Sequence, residues 1–582
     1  MDRSGVCMRR QQIFGAIVLL AIASLLVITI APTDHRVGEY RIRASIDING
    51  RRLFVDLKTK LSERDGFLIQ ESNSTVLGGV NYSIRILGLD SYARRPGNYF
   101  WAYVDLLVEG ERVSLGEGGT SGIDGKLIPK EGSYEPMRVV LEHGRIKLEK
   151  AIRVNTRLAF YLFLIVIVLW AVVALDPLIV ALLIPVVSIL IINIPAQDVL
   201  VVFWDPAIAL IFGAFVIAYS MDKSGLAKRI AYILVSKARS PARLMFSISI
   251  VSFFLAMWMS SLATMVVMLP IISTILKVFN ADQRSRYAKG ITLSVMLGAI
   301  LGGAASIVGN PANALSISII YRLSGERVEF LEWIAYALPV CIGILIVLDI
   351  MIYMTYSIRT DMERGYIRFD ETVILTIKAH LMGMGPLTRM EKATLLVFIG
   401  TILGWFVSST LAIMGYVYYL HVSAVALAAV LALIAMGIFK VEDMRKIRWD
   451  ILLILGGSLS LVVLMDKCGI IDILILELRG VNAIWMLAMV VPILYILSII
   501  LGPMASVALV LPILITSGGF TKQLLIYITI LSSTVVFGPQ GLVLEEHARG
   551  RGFITYRDYI KIGVIYTVLS IAMITPLVFL SI

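Results

Sequence analysis

The chain has 582 residues, 58% of them hydrophobic and 16% charged, with a mean hydropathy of +0.87. No soluble globular domain needs so large an apolar fraction, so most of the chain belongs in a lipid bilayer. The formal net charge of +11 does not call for a nucleic-acid partner. Lys and Arg recur between apolar runs rather than forming one patch, which is how membrane topology is encoded. Cys7, Cys341 and Cys468 are isolated and lack the spacing of a metal or redox motif.

Residues 12–31 form the first apolar run, behind Arg3, Arg9 and Arg10. The run is long for a signal core and has no clear small-x-small site before Asp34, which favours a retained transmembrane helix over 1–32 rather than a cleaved signal. The basic flank then keeps the N-terminus cytoplasmic and puts residues 33–157 on the extracytoplasmic side. That segment holds no cysteine, which excludes a disulfide scaffold there. Ile42, Ala44, Ile46 and Ile48 alternate with polar residues, Asn49-Gly50 turns the chain, and Leu53, Val55 and Leu57 alternate again. This is a hairpin signature. Further strands are expected over 82–87, 99–108 and 137–148, the last turning at His143-Gly144. An inserted all-β, sandwich-like domain of roughly 120 residues is therefore expected, large enough for a small core of its own. Tyr99, Trp101 and Tyr103 read as a core stripe more readily than as a ligand grip. The sequons at Asn73 and Asn81 are triplets common by chance.

From Leu158 onward, apolar runs dominate: 158–175, 178–195, 206–222, 244–276, 291–320, 333–356, 394–413, 421–439, 450–467, 483–516, 523–544 and 560–581. One crossing needs about 20 residues, so 244–276 and 483–516, each with a small-polar centre, are expected to be re-entrant hairpins. Charge placement agrees with that reading. With residue 1 inside, the basic clusters at 223–243, 277–289, 359–392, 440–448 and 549–561 all face inside, and outside loops keep only Arg322, Arg327, Lys467, Arg479 and Lys522. The asymmetry holds only if both hairpins return to their own side, which inverts the halves and leaves the C-terminus outside.

The halves also repeat each other. Trp204-Asp205, Gly213 and Met221-Asp222-Lys223 recur as Trp449-Asp450, Gly457 and Met465-Asp466-Lys467, and Ala263-Thr264 before Leu269-Pro270 recurs as Ala505-Ser506 before Leu511-Pro512. A repeat with broken hydrophobic segments at matching places points to a transporter whose site lies between the halves. The fold expected is an all-α polytopic membrane protein with about 11 transmembrane helices, made of a first transport repeat with its cytoplasmic linker (158–392) and a second, inverted one (393–582).

Four breaks interrupt the helical pattern: 258–264, 302–313, 502–506 and 532–541. Irregular backbone at membrane depth is tolerated only where it lines a cavity or packs in protein. Half-helix N-termini there offer N–H groups and a positive dipole end to an anion, while freed carbonyls can hold a cation.

Phe254–Thr264 with Met268-Leu269-Pro270, Gly302-Gly303 with Gly309-Asn310-Pro311-Ala312-Asn313, and Phe553, Asp558-Tyr559 and Gly563 together resemble the signatures of the divalent anion:sodium symporter family. Its members transport dicarboxylates, citrate and sulfate. The resemblance covers the first helix and residues 158–582. It implies secondary active transport of a small anion (a di- or tricarboxylate, or sulfate) by elevator-like or rocking alternation, coupled to sodium or to protons, in a homodimer within the bilayer. It also implies that each hairpin tip should read Ser-Asn-Thr and bind sodium and one substrate carboxylate. Here the tips are Ser260-Ser261-Leu262 and Gly502-Pro503-Met504, and the second Thr-Pro-Pro-Asn element reads Phe537-Gly538-Pro539-Gln540.

Carried over position by position, the resemblance assigns substrate binding to Ser260, Ser261, Thr264, Asn310, Pro311 and Asn313, and in the second half to Ser506, Thr534, Gly538, Pro539 and Gln540. Sodium would sit among Ser260, Ser261, Gly309 and Asn310. An Asn-to-Pro change removes a side-chain oxygen and an amide, so the second half is expected to contribute mainly backbone. No resident cofactor is expected.

Other polar residues have bland readings. Asp349, within an apolar run, is a packed Asp before it is a proton relay. Asp176, Asp222 and Asp466 read as interfacial, His421 as a helix cap, and His547 as a loop residue. The absence of a Walker loop, triad or metal-ligand motif argues against an ATP-driven pump or a membrane enzyme. Two alternatives stay open: an arsenite or sodium/proton antiporter of the same superfamily, and a non-transporting sensor whose outer domain binds ligand.

Overall fold

The computed structural model describes the strands between Val37 and Lys150 and residues 156–581, apart from 172–175, 239, 280, 282–284, 357–360, 362–370, 417–419, 469, 472–481, 518–519 and 551–553. The run 12–31, Cys7 and Tyr99 lie outside the described residues. By compactness the chain divides into one unit of residues 1–172, 185–199 and 463–473, and a second of 173–184, 200–462 and 474–582.

The first unit contains ten strands: β1 (Val37–Ile48), β2 (Arg51–Arg64), β3 (Phe67–Gln70), β4 (Asn73–Leu77), β5 (Val80–Asp90), β6 (Trp101–Val108), β7 (Glu111–Arg112), β8 (Gly125–Lys130), β9 (Met137–Glu142) and β10 (Arg145–Lys150). In β1 and β2, Ile42 stands opposite Leu57, Ala44 opposite Val55 and Ile46 opposite Leu53. The alternating apolar positions therefore fall on one face of the ladder. The strands join into one antiparallel sheet in the order β3-β2-β1-β8-β9-β10-β6-β5-β4, with β7 on β6, where two stacked sheets were expected. The strand that unites them is β8, which pairs with both β1 and β9. Its sequence, GKLIPK, carries a Gly, a Pro and no alternation, so nothing local announces it. Thr156–Ala171 forms α1 in the same unit.

The second unit is helical. Its elements are α2 (Pro177–Leu190) and α3 (Ala196–Leu200), both of which continue into the first unit, then α4 (Pro206–Ser224), α5 (Leu226–Val235), α6 (Pro241–Trp258), α7 (Ser261–Val278), α8 (Arg286–Ala305), α9 (Pro311–Ser324) and α10 (Phe330–Thr355). After these come α11 (Glu371–Gly383), α12 (Arg389–Ile413), α13 (Val422–Ala435), α14 (Trp449–Lys467, of which 463–467 belong to the first unit), α15 (Ala483–Leu501), α16 (Pro503–Ser517), α17 (Lys522–Ser533), α18 (Pro539–Arg549) and α19 (Tyr556–Leu580). Among the described residues, nine helices are long and apolar enough to cross a membrane.

All four long runs break inside the stretches that the sequence marks. Met259 is extended and ends α6, and Ser260 caps α7. Ser306 is extended after α8, and Asn310 caps α9. Gly502 separates α15 from α16 at φ +86°, a conformation open chiefly to glycine. Thr534 ends α17 and Gly538 precedes α18. The broken pairs interleave: α9 packs on α16 and α7 on α18.

His421 caps α13 as expected, and Asp176 accepts from the Leu178 amide at 2.9 Å ahead of α2. Cys341 and Cys468 are buried free thiols. Polar ties fix the rest of the unit. Asp205 caps α4 and is bound by Ser318 (2.8 Å) and Arg322 (2.8 Å) of α9, whereas its repeat counterpart Asp450 pairs with the neighbouring Arg448 at 2.7 Å. Buried Arg229 of α5 holds Glu391 of α12 at 2.6 Å and the carbonyls of Met384 and Gly385.

Candidate functional site

The first pair of breaks is held by side chains that close on backbone. Ser260 Oγ, half-buried, accepts from the Ala263 amide at 3.3 Å. Ser261 Oγ, buried, donates to the Ala299 carbonyl at 2.8 Å. Ser306 donates to the Met257 carbonyl and accepts from the Gly309 amide at 3.1 Å. Asn310 Oδ1 accepts from the Ala312 amide at 3.1 Å, with Pro311 in the first turn of α9, where its missing N–H costs nothing.

Glycines let this region close up. A Cβ on Gly302 would lie 2.1 Å from the Phe253 carbonyl oxygen. One on Gly303 would meet Ser261 Oγ at 2.6 Å and the Gly309 carbonyl at 3.2 Å, and one on Gly309 would meet the carbonyls of Ala256 and Gly303, both at 2.7 Å. The Ser261 hydroxyl and several carbonyl oxygens thus converge where the hairpin tip meets the second break. Of the set expected for sodium, Ser261 and Gly309 come together here, while Ser260 and Asn310 cap the two helix starts.

Asn313 behaves differently from the expectation placed on it. Its amide nitrogen donates to the carbonyls of Ser306 (2.7 Å) and Gly303 (3.1 Å), with a longer contact to Ala304 (3.4 Å). Its oxygen accepts from Ser533 Oγ at 2.7 Å. Both ends of the side chain are engaged by protein, so it acts as a clamp. Two polar groups near the tip are left over: Thr264 Oγ1 and Trp258 Nε1 are buried and have no hydrogen-bond partner. Trp258 lines a small cavity with Ala214, Ile217, Phe398, Thr401 and Trp405. It stacks on Trp405 (centroids 6.3 Å, 9° between planes) and meets Phe398 edge-on.

In the second half the side chains turn inward. Ser506 Oγ donates to the Gly502 carbonyl at 2.7 Å and Thr534 Oγ1 to the Leu531 carbonyl at 3.1 Å. Ser498 and Ser532 share a hydrogen bond of 2.7 Å. Gly538 starts α18 without a side-chain cap, and its α-carbon side abuts the Ser498 carbonyl, 2.6 Å from an added Cβ. Pro539 opens the helix, and the Gln540 side chain lies outside the described residues. Where the first half caps its half-helices with Ser260 and Asn310, the second has Gly502 and Gly538, so its helix starts present amides without a competing side chain.

The sequence alone pointed to the breaks but missed Trp258, Ser306 and Ser533 as working parts. Ser306 was the readable one, as a hydroxyl between Gly302-Gly303 and Gly309. Among the described residues, no group of three or more His, Cys, Asp or Glu is placed to hold a metal ion.

Residues 138–580 match the family described as the sodium:sulfate symporter transmembrane region, a span that includes all four breaks. An uncharacterized transporter of Haemophilus influenzae is 26% identical, over 73% of this chain and 91% of its own length. The sodium-dependent dicarboxylate transporter SdcS of Staphylococcus saprophyticus is 22% identical, over 66% of this chain and 78% of its own. A citrate/succinate antiporter of Escherichia coli is 26% identical, over 64% and 77%. Among solved structures, the Alcanivorax borkumensis YdaH transporter aligns with a TM-score of 0.42 at 13% identity, over 65% of this chain and 84% of that one. The chain belongs to the sodium:sulfate symporter family, the divalent anion:sodium symporters, and is a multi-pass membrane transporter rather than an enzyme.

Proposed function

We propose that this protein is a secondary active transporter of a small anion, a di- or tricarboxylate or sulfate, binding it between the paired breaks. The observation that carries the reading is the packing of α7 on α18 and of α9 on α16, which sets the broken helices of one half against those of the other. A site of that kind recognises an anion through N–H groups and helix dipoles, with no Lys or Arg at the tips. The reciprocal pairing is also what a two-fold inverted repeat would produce, with 158–392 and 393–582 as its halves.

In this reading Ser260, Ser261, Thr264, Gly309, Asn310 and Pro311 form the polar side of the site. Ser506, Thr534, Gly538, Pro539 and Gln540 form the side that offers backbone. Sodium, where it is the coupling ion, is a co-substrate at the oxygens converging near Ser261 and Gly309. The N-terminus is cytoplasmic, residues 33–157 face outward as a separate β domain, and the working unit is a homodimer.

The test is counterflow in proteoliposomes with labelled succinate, citrate and sulfate. One of these anions should exchange, and Asn310→Ala should weaken that exchange by uncapping α9. A purified chain that moves none of them while its outer segment binds a ligand would replace this reading with that of a sensor.

A further inference from the structure

Away from the breaks, α6, α8 and α10 enclose a carboxyl group. Asp349 is 2% exposed, and its Oδ1 has no hydrogen-bond partner. Around it on α10, Ile346, Ile350 and Met354 are exposed while Leu345, Leu348 and Ile352 are buried. Asp349 therefore lies on the face turned toward protein. Ser249 of α6 faces it, and the hydroxyls of Ser249 and Ser294 are fully buried and unpartnered. Gly290 of α8 abuts Ile352 and Tyr356, and Gly298 abuts Ser249. Ser294, one helical turn from each glycine, shares their face at the level of Asp349.

The charged and titratable groups on the surrounding elements are committed elsewhere or lie at helix ends. Arg286 donates to the Thr355 carbonyl, Tyr287 to that of Pro241 and Tyr559 to that of Val536. Lys289 pairs with Asp558 at 2.9 Å, and Glu391 with Arg229. Tyr353 packs on Phe246, Tyr527 is bonded by Gln523, and Tyr566, buried in the middle of α19, faces Ser570 and Thr534. Arg243 sits in the first turn of α6 and Lys561 in the second turn of α19. An ionised carboxylate held without a cation in such a place is costly. One carboxyl and two hydroxyls are also too few oxygens for a sodium shell, because the helix carbonyls are used in the ladder.

We propose that Asp349, with Ser249 and Ser294, is a proton-binding site that loads and releases a proton in each transport cycle, so that anion movement is proton-coupled. The inference rests on the transporter reading above. Protonated, the carboxyl donates to a serine hydroxyl. Released, the carboxylate accepts from both hydroxyls, which turn about their Cα–Cβ bonds, and the proton leaves toward the Thr355 end of α10, about 9 Å away at 1.5 Å per residue.

The experiment compares the full chain with Asp349→Asn in proteoliposomes, using labelled succinate, citrate and sulfate. Counterflow should persist in the variant, while accumulation driven by a pH gradient is lost completely. Infrared difference spectra on a pH step should show a protonated-carboxyl band that Asp349→Asn removes. Asp349→Glu should keep the band and shift its pH dependence, which separates titration from misfolding. The proposal is overturned if Asp349→Asn accumulates anion as the parent does, if a sodium gradient alone drives the parent without response to pH, or if no band titrates. If the parent shows no counterflow, the transporter reading fails instead, and the infrared band still reports on Asp349.

Discussion

Ser533 donates to Asn313 over 2.7 Å, a bond that joins the break of one half to the break of the other. Asn313 also gathers the carbonyls of Gly303 and Ser306. Asn313→Ala would strand these buried groups, at about 1–3 kcal/mol for each buried polar group left unsatisfied. We expect a clear drop in the thermal transition of the detergent-solubilised protein for Asn313→Ala and a smaller one for Ser533→Ala. Unchanged transitions in both would show that the clamp contributes nothing to stability.

Close approach at Gly302 gives a second prediction with an internal control. Gly302→Ala drives its Cβ to 2.1 Å from the Phe253 carbonyl, whereas Gly400→Ala on α12 meets nothing within 4 Å. Backbone cannot move aside as a side chain can, so the first should destabilise by at least the 1–3 kcal/mol or so typical of overpacking. The second should be neutral or stabilising, because it removes a flexible residue from mid-helix. Equal melting behaviour of the two would contradict the packing of α6 on α8.

The stretch between α13 and α14 titrates. A hydrogen bond from Lys223, with others from the Lys440 amide and Tyr219, holds the Asp443 carboxyl down to about 2. A carboxyl depressed in the folded state stabilises above its unfolded value of about 3.9 and loses that contribution as pH falls through the folded one. The tie from α4 to this stretch should therefore be constant at neutral pH and fade between about pH 4 and 2. Asp443→Asn should flatten that acid limb in a stability-versus-pH series. A parent and variant with the same limb would place the acid transition elsewhere.

Trp258 separates packing from recognition. Trp258→Phe keeps a ring against Trp405 and Phe398 but removes the unpartnered Nε1 donor. It should leave the melting transition near that of the parent while raising the anion concentration needed for half-maximal counterflow. Trp258→Ala should also cost stability, on the order of 3–5 kcal/mol for a large buried aromatic. Unaltered anion dependence in Trp258→Phe would make the indole purely a packing element.

Local chemistry explains what could be read from the chain and what could not. Ser260, Asn310 and Gly502 announce helix breaks because capping and positive-φ backbone depend on single residues, and Pro539 marks the fourth by opening α18. His421 was legible as a cap for the same reason. The Arg229–Glu391 pair and the Asn313–Ser533 bond bridge 162 and 220 residues, and no local pattern carries such a distance. α5 and α11 are short and carry polar residues along their length, so they stand out from the loops neither by hydropathy nor by capping. Strand β8 escaped because Pro129 and Gly125 mask its two-residue rhythm.

The interleaving of α7 with α18 and α9 with α16 also bears on biogenesis. α16 begins 192 residues after α9 begins (Pro503 against Pro311) and α18 begins 278 after α7 (Pro539 against Ser261), so the first set of broken helices must wait in the membrane with part of its polar backbone uncovered. Until the ribosome completes the second set, that half has no native neighbour to shield it, and a nascent chain stalled in the linker near Lys392 is a substrate for chaperones and membrane proteases.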